Sequence, residues 1–240
     1  MKILAIESSG LVASIAVYWD GIMQSEYTVN YKKTHSQTLL PMIEEVSRMT
    51  ELDLNELDAI AVSSGPGSFT GLRIGAATAK GLGLALDKPL IGVPTLEGLA
   101  YNLCMTTDLI CPIMDARRSQ VYTGIYCFED ENFRVIKDQC AIAIEEIISE
   151  VNALARPVIF LGDGVPVFSE VISDKITVPY RFAPPHMAYQ RAGAVCERAA
   201  HYFEQGQTIH AREFAPDYLR VSQAERERNE RLKKGENIDA

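Results

Sequence analysis

Two acidic side chains stand at similar points of the chain, each at the end of an apolar run. Glu7 is followed by Ser8 and Ser9, and Asp115 ends a second run further along the chain. In two-lobed phosphotransferases, carboxylates at such turns hold a metal–nucleotide complex or act as a general base. The alternative is a carboxylate that accepts hydrogen bonds within its own turn. These four residues are therefore a candidate nucleotide cleft, with turn capping as the competing interpretation.

A glycine-rich loop, GPGSFTG at 65–71, joins a predicted strand to a predicted helix. Gly65 and Gly67 permit backbone angles that a side chain forbids, and free N–H groups at a helix N-terminus attract phosphates. The loop matches neither GxxxxGK[ST] nor GxGxxG, because lysine is absent from the required place. The sequence therefore favours a tight structural turn over an anion cradle.

The helix after this loop has one face with almost no side chains. Gly71, Gly75, Ala79 and Gly83 recur every four residues along it. Glycine inside a helix costs up to ~1 kcal/mol relative to alanine, so this stripe requires an explanation. A bare face lets another element approach closely. That element is either the helix's own sheet or a partner helix, and the sequence leaves both open.

Other residue types lack the spacing of a metal site or a nucleophilic triad. The histidines form neither HxxxH nor HxH, and no cysteine lies at ligand spacing from them, so we expect no metal. The serines lack the GxSxG elbow of hydrolases. The histidines are His35, His186, His201 and His210.

Composition bounds the partners and the compartment. The 240 residues carry a formal net charge of −9, so tight binding of nucleic acid by this chain alone is not expected. The five cysteines are odd in number and form no CxxC pair, which favours a reducing compartment. No apolar run approaches the ~18 residues of a membrane helix. We therefore expect a cytoplasmic protein with no membrane contact.

The apolar pattern predicts strands and helices in two similar halves. Each half begins with a strand, an acidic turn and two further strands, followed by helices. Glu7 precedes Tyr18 by eleven residues, and Asp115 precedes Tyr126 by the same number. This agreement favours an internal duplication over two unrelated segments. The predicted strands are 3–6, 13–19, 22–29, 58–63, 90–93, 109–114, 121–128, 133–140 and 158–161, and the predicted helices are 39–49, 69–86, 95–104, 144–151, 188–205 and 222–234.

Five segments resemble the TsaB family, also called YeaZ, of bacterial tRNA threonylcarbamoyladenosine biosynthesis. They are KILAIESS at 2–9, THSQTLLP at 34–41, GPGSFTGLRIG at 65–75, DAR at 115–117 and PDYLR at 216–220. The resemblance covers nearly the whole chain, and GPGSFTGLRIG is highly specific to the family. It implies an α/β fold of the actin/hexokinase/Hsp70-like (ASKHA) class, duplicated into two lobes with mixed five-stranded sheets. The implied lobes are 1–104 and 105–240, with the C-terminal helix able to pack back on the first.

The resemblance also implies the role of a non-catalytic subunit. Members of the family pair with TsaD, a longer paralogue that transfers the threonylcarbamoyl group to adenosine 37 of tRNAs reading codons that begin with A. The ATPase TsaE joins the pair, and tRNA is reached only through the complex. A homodimer is expected when TsaD is absent. No cofactor is firmly implied, although ATP or ADP at the complex interface is compatible with the family.

One stretch departs from the catalytic paralogue at its metal site. The paralogue carries HMEGH, whose histidines bind the metal, and the matching stretch here is TLEGL at 95–99. Thr95 and Leu99 stand at the ligand positions, and neither replaces imidazole as a metal ligand. The resemblance therefore implies that this chain does not catalyse the transfer by itself.

The family's dimer surface is formed by the helices at 35–49 and 69–86. This implies that the bare face of the second helix points outward, against the same helices of TsaD or of a second copy. The competing hypothesis is a small ATP-binding or ATP-hydrolysing ASKHA enzyme, because fold alone does not decide function. The implied interface residues are His35, Leu39, Met42, Ile43, Val46, Gly71, Leu72, Gly75, Ala79 and Gly83.

Overall fold

The first half of the chain forms a five-stranded mixed sheet. Its strands are β1 (Lys2–Glu7), β2 (Ala13–Trp19), β3 (Ile22–Val29), β4 (Ala59–Gly65) and β5 (Leu90–Pro94). They lie in the order β3-β2-β1-β4-β5, with β1 antiparallel to β2 and parallel to β4. Ile3 to Ile6 are fully buried because β1 is central and covered on both faces. The structure is a computed structural model that describes residues 1–31, 34–130 and 132–220.

Two helices cover one face of this sheet. They are α1 (His35–Met49) and α2 (Phe69–Leu86). The apolar residues of α1 recur at helical spacing and therefore form one buried stripe, from Leu39 to Val46. The start of α2 is fixed by Ser68, whose hydroxyl oxygen accepts a hydrogen bond from the Gly71 N–H at 3.3 Å.

The second half repeats this arrangement. Its strands are β6 (Leu109–Asp115), β7 (Gln120–Glu129), β8 (Asn132–Ala143), β9 (Val158–Leu161) and β10 (Tyr180–Phe182), and its helices are α4 (Ile144–Leu154) and α5 (Val165–Lys175). The strand order β10-β9-β6-β7-β8 matches the first sheet strand for strand. Glu7 and Asp115 end the two central strands. The predicted duplication and the fold of two mixed five-stranded sheets are confirmed.

The last described segments return to the first sheet. Helix α3 (Thr95–Tyr101) joins the halves, and α6 (Ala192–Glu204) packs against β1 and β2 on the face opposite α1 and α2. Residues 211–220, called the strap here, then run along α2. Phe214 lies in the core beneath α2. At the far end of the strap, Arg220 Nη1 donates a hydrogen bond to the Ala116 carbonyl at 2.6 Å, so the strap reaches the second lobe.

Most predicted elements are confirmed, with differences in the bounds of two helices and two elements missed in the second half. The structure begins the helix predicted at 188–205 at Ala192 and ends the one predicted at 95–104 at Tyr101. The sequence analysis missed α5 and β10. The helix predicted at 222–234 lies outside the described residues.

Candidate functional site

The glycine face of α2 packs against the turn that follows β1. The hydroxyl of Ser8 donates a hydrogen bond to the Gly71 carbonyl at 2.9 Å. A Cβ on Gly71 would overlap the backbone oxygen of Ser8, and a Cβ on Gly75 would overlap the Ser8 hydroxyl. The glycines are therefore needed for α2 to reach β1. The expectation that this face points outward is wrong, because the face is occupied by the chain's own first strand.

The other residues placed on the implied dimer surface also lie largely inside the chain. His35 is half-buried, and its Nε2 lies 2.9 Å from the Gly10 carbonyl oxygen. A Cβ on Gly83 would lie within 3.0 Å of Ala211 and Leu90. Side chains packed within their own lobe are not available to a partner, so the buried positions of this set are corrected from interface to core, whereas His35 stays partly exposed. The fully buried members are Leu39, Met42, Ile43, Val46, Leu72 and Ala79.

A different face of α2 is exposed to solvent and carries no charge along its centre. Ala77, Gly81 and Leu84 follow one another on this face, and Ile74 lies at its edge. Leu84 is 47% exposed, and a Cβ on Gly81 would meet no atom within 4 Å. Leu40 of the neighbouring α1 is 58% exposed. We call these five residues the outer helix face, and its composition is typical of a packing surface rather than a solvated one.

An open cleft of about 390 Å³ lies between the two sheets, at the ends of β1 and β6. Ser9 and Asp115 border this cleft, together with Gly67 and Ser68 of the glycine loop, although Ser9 is itself 0% exposed. Glu7 and Ser8 do not line the cleft, so their placement in it is wrong. Binding of a nucleotide here stays a prediction.

Glu7 instead holds together the turn and the neighbouring strand. One carboxylate oxygen accepts hydrogen bonds from the Ser9 N–H and the Ser9 hydroxyl, both at 2.6 Å, and the other accepts from the Ser63 hydroxyl. Burial raises the pKa of the Glu7 carboxyl, against the lowering effect of these hydrogen bonds. Both carboxylate oxygens accept hydrogen bonds from the chain itself, which supports turn capping for this residue.

The glycine loop is clamped to the same turn. The Ser68 N–H donates to the Ser9 carbonyl at 2.7 Å, and a Cβ on Gly67 would overlap the Ser9 backbone. Gly65 has a φ of +122°, in the region that favours glycine. Two N–H groups at the helix start, those of Ser68 and Gly71, are therefore already paired within the chain. This supports the tight structural turn.

The cleft contains an acid that the sequence analysis did not select. Asp163 follows β9 and lines the cleft, and its Oδ1 is buried without a hydrogen-bond partner among the described residues. Burial raises the pKa of Asp163 to about 6. In the duplicated fold, β9 corresponds to β4, so Asp163 lies in the counterpart of the glycine loop that follows β4. This correspondence between the halves is the sequence signal that could have identified Asp163.

The strap closes one side of the cleft. The Asp217 N–H donates to the Ser64 carbonyl at 2.6 Å, and the ring of Tyr218 lies 4.7 Å from that of Phe69. Asp217, Tyr218 and Arg220 all line the cleft. The sequence marked PDYLR only as a family segment, because nothing local shows that this segment crosses between lobes.

The stretch that matches the paralogue's metal motif is packed as a structural element. Thr95 and Leu99 are each 1% exposed, and Leu99 lies in a core cluster with Ile110 and Tyr126. Glu97 accepts hydrogen bonds from Arg198 Nε and from the Tyr202 hydroxyl, both at 2.7 Å. The one charged residue kept from the motif is therefore paired with α6.

The described residues contain neither a cluster of metal ligands nor a membrane-spanning helix. Among residues 1–31, 34–130 and 132–220, no group of three or more His, Cys, Asp or Glu side chains is arranged to hold a metal ion. Within the same described ranges, no helix is both long and apolar enough to cross a bilayer.

Comparison with known proteins gives the family. The model of the family described as TsaD, tRNA N6-adenosine threonylcarbamoyltransferase, matches residues 23–228. The tRNA threonylcarbamoyladenosine biosynthesis protein TsaB of Bacillus subtilis is 32% identical over 94% of this chain and 96% of its own length. The chain belongs to the TsaB family.

Solved structures agree with this membership. A structure titled YeaZ from Pseudomonas aeruginosa superimposes with a TM-score of 0.79 at 25% identity, covering 91% of this chain and 99% of that one. A ROK hexokinase from Thermus thermophilus gives a TM-score of 0.50 at 11% identity, covering 86% of this chain and 100% of that one. The hexokinase likeness shows the fold alone. The TsaB-family chain thus has the actin/hexokinase-like fold predicted from its sequence.

Proposed function

We propose that the chain is a non-catalytic subunit of tRNA threonylcarbamoyladenosine biosynthesis that pairs with the transferase TsaD in the cytoplasm. The outer helix face carries this proposal, because it is the exposed, uncharged part of the two helices. Gly81 leaves room for a partner helix to approach closely, while Leu40 and Leu84 supply apolar area. A specific pair buries about 1,600 Å² in total, which two helices on each side can supply.

The absence of catalysis by the chain alone is proposed from the stretch at 95–99. Thr95 and Leu99 occupy the positions of the paralogue's metal-binding histidines, and both are enclosed in packed surroundings. Glu97 is paired with Arg198. Introducing a metal here would require new ligands and a rearranged ion pair. The transfer is therefore assigned to TsaD.

The same surface is proposed to form a homodimer when TsaD is absent, because two identical faces are self-complementary about a two-fold axis. A cavity of about 710 Å³ opens beside this surface, between the N-terminal ends of α1 and α2. Leu11, Tyr31 and His35 line it. We propose this cavity as the place for ATP or ADP at the complex interface, adjacent to TsaE. On this proposal, tRNA is reached only in the complex.

A second candidate function is a small ATP-binding or ATP-hydrolysing enzyme. The observation that favours it is the meeting of Ser9, Asp115 and Asp163 in one cleft. Calorimetric titration of the chain with ATP and Mg²⁺ separates the two functions. Tight binding with turnover that is lost in Asp115→Asn would favour the enzyme, and no turnover would favour the subunit.

Size-exclusion chromatography tests the pairing. The chain is run alone, with its TsaD, and with TsaD, TsaE, ATP and tRNA. We expect a homodimer alone and a heterodimer with TsaD, to which TsaE adds. Separate elution of the chain and TsaD at micromolar concentration would overturn the proposal.

A further inference from the structure

Several arginine and lysine side chains of the described residues have no carboxylate within 4.0 Å. Most cations of the described residues do have such a partner, as Arg134 does with Glu129 and Lys175 with Glu145. The cations for which the described part of the chain supplies no such carboxylate are Arg73, Lys80, Lys88, Arg118, Arg156, Arg212 and Arg220.

Two of these cations, Lys80 and Arg73, contact the strap or the aromatic rings beside it. Lys80 Nζ donates to the carbonyls of Arg212 and Phe214, at 3.1 and 2.8 Å, which fixes the strap along α2. The Arg73 guanidinium lies 4.0 Å from the centroid of the Phe69 ring, which in turn contacts Tyr218. The line of cations and rings therefore runs from α2 to the mouth of the cleft.

The β6–β7 turn continues this surface on the other lobe. Arg220 joins the strap to the turn through its bond to Ala116. Arg117, Arg118 and Ser119 all have left-handed φ values, of 67°, 56° and 56°. The Arg117 side chain is 87% exposed and lies 3.5 Å from Asp115. Arg118 is also exposed, with no carboxylate near it among the described residues. The exposed turn therefore adds the Arg117 guanidinium at the mouth of the cleft, and Arg118 is its neighbour in the chain.

Four acids also lie on or beside this surface. The strap contributes Glu213 and Asp217, and the cleft contributes Asp115 and Asp163. We define the cleft-mouth ridge as the residues that border the cleft or stack on those that do. They are Phe69, Arg73, Arg117, Tyr218 and Arg220, and the ridge also includes Arg118, the exposed neighbour of Arg117 in the β6–β7 turn.

Guanidinium groups bind phosphates in a planar, bidentate manner, and they alternate here with aromatic rings on which a base can stack. Arg73 and Arg118 are exposed and have no carboxylate within 4.0 Å among the described residues, and in a chain of net charge −9 such side chains favour a local polyanion site. We propose that the cleft-mouth ridge contacts the phosphate backbone of RNA. The identity of the RNA, the tRNA handled by the complex, rests on the proposed function.

Binding of an unmodified tRNA transcript to the complex of this chain with its TsaD tests the proposal. The variants are Arg118→Glu alone and Arg73→Glu with Arg118→Glu. The control, Arg134→Glu with Lys175→Glu, makes the same charge change on the far side of the second lobe, at exposed ion pairs. Fluorescence anisotropy is measured over a series of salt concentrations, and co-elution with TsaD is measured separately.

We expect the double variant to weaken binding about tenfold and to reduce the salt slope by about two, as expected for two lost phosphate contacts. The control is expected to change the affinity less than about twofold. Equal effects in variant and control, or no effect, would overturn the proposal. So would a loss of ATP binding with unchanged tRNA binding, because the ridge would then be a nucleotide site.

The design separates this proposal from the pairing. Failure of the wild-type chain to co-elute with TsaD would contradict the proposed function. In that case, the same tRNA titrations are made on the chain alone at low salt, and they test whether the cleft-mouth ridge binds RNA. Weaker binding in the variant than in the control would support it, and equal binding would contradict it.

Discussion

Gly75 lies directly against the hydroxyl of Ser8, with no room between them for a methyl group. This contact joins the middle of α2 to the turn after the central strand β1. It gives the small-residue stripe of α2 an internal role, and it moves the proposed partner surface to the opposite side of the same helix.

The first prediction uses one substitution at two glycines of α2. Gly75→Ala should destabilise the protein by about 1–3 kcal/mol, because the new methyl group overlaps Ser8 in a packed site. Gly81→Ala should stabilise it by about 0.5–1 kcal/mol, because its position is open and alanine favours the helix. Denaturant unfolding of the two variants measures both. Opposite signs are the expected result, and destabilisation by both would contradict the assignment of the two faces.

The second prediction concerns the outer helix face. Ala77→Arg with Gly81→Arg should lower the affinity for TsaD at least tenfold, because two charges would be buried between helices. Co-elution with TsaD measures this loss, and the circular dichroism spectrum should be unchanged. Val167→Arg is the control, since Val167 is 60% exposed on α5 of the second lobe. Pairing that survives the double substitution would place the interface elsewhere.

The third prediction compares two ion pairs. Arg198→Ala should cost about 3–5 kcal/mol of unfolding free energy, because Arg198 and Glu97 are 14% and 13% exposed and the carboxylate would be left unpaired. Arg48→Ala should leave the stability almost unchanged, because the Arg48–Glu45 pair is 65% and 46% exposed and solvent screens it. Urea midpoints of both variants check this, and similar costs would refute the structural role assigned to Glu97.

The fourth prediction is a pH dependence from Asp163. Its pKa is raised from 3.8 to about 6 in the fold, so the unfolded chain releases this proton first as the pH rises. The contribution of Asp163 to the free energy of unfolding is therefore fully present below pH ~4, and it is lost as the pH rises through ~6. Asp163→Asn should be more stable than wild type by about 3 kcal/mol well above pH 6, and equal to it near pH 4.

Urea unfolding at several pH values measures the Asp163 effect. Asp174→Asn, at an exposed position of α5, is the control and should show no pH-dependent difference. A constant difference between Asp163→Asn and wild type across the range would show that the carboxyl is not the cause.

Much of the fold was predictable from periodicity. Helix α2 has the predicted bounds of residues 69 and 86, since a capping serine precedes it and an apolar pattern fills it. The duplication was visible as an equal offset in both halves. Helix α5 was missed because two prolines and a short strand surround a weak apolar pattern, and its burial of Phe168 and Ile172 depends on the sheet beneath.

The site was harder to predict because it depends on which helix faces and side chains point into the core and which point toward the cleft or solvent. Glycine at four-residue spacing shows that something approaches α2 closely, but only the three-dimensional contact identifies Ser8 as that neighbour. Similarly, Glu7 and Asp115 occupy matching positions, yet Ser9 and Ser63 enclose Glu7 while Asp115 faces the cleft. The strap's crossing between lobes is a long-range contact with no local signal.

The most direct measurement of the central claim is transfer of the threonylcarbamoyl group to a tRNA transcript, with threonylcarbamoyl-adenylate as donor. The chain alone, TsaD alone and the two together are compared. We predict no modified nucleoside with the chain alone and a strong gain when it is added to TsaD. Modification by the chain alone, or full activity of TsaD without it, would contradict the assignment of this protein as a non-catalytic subunit.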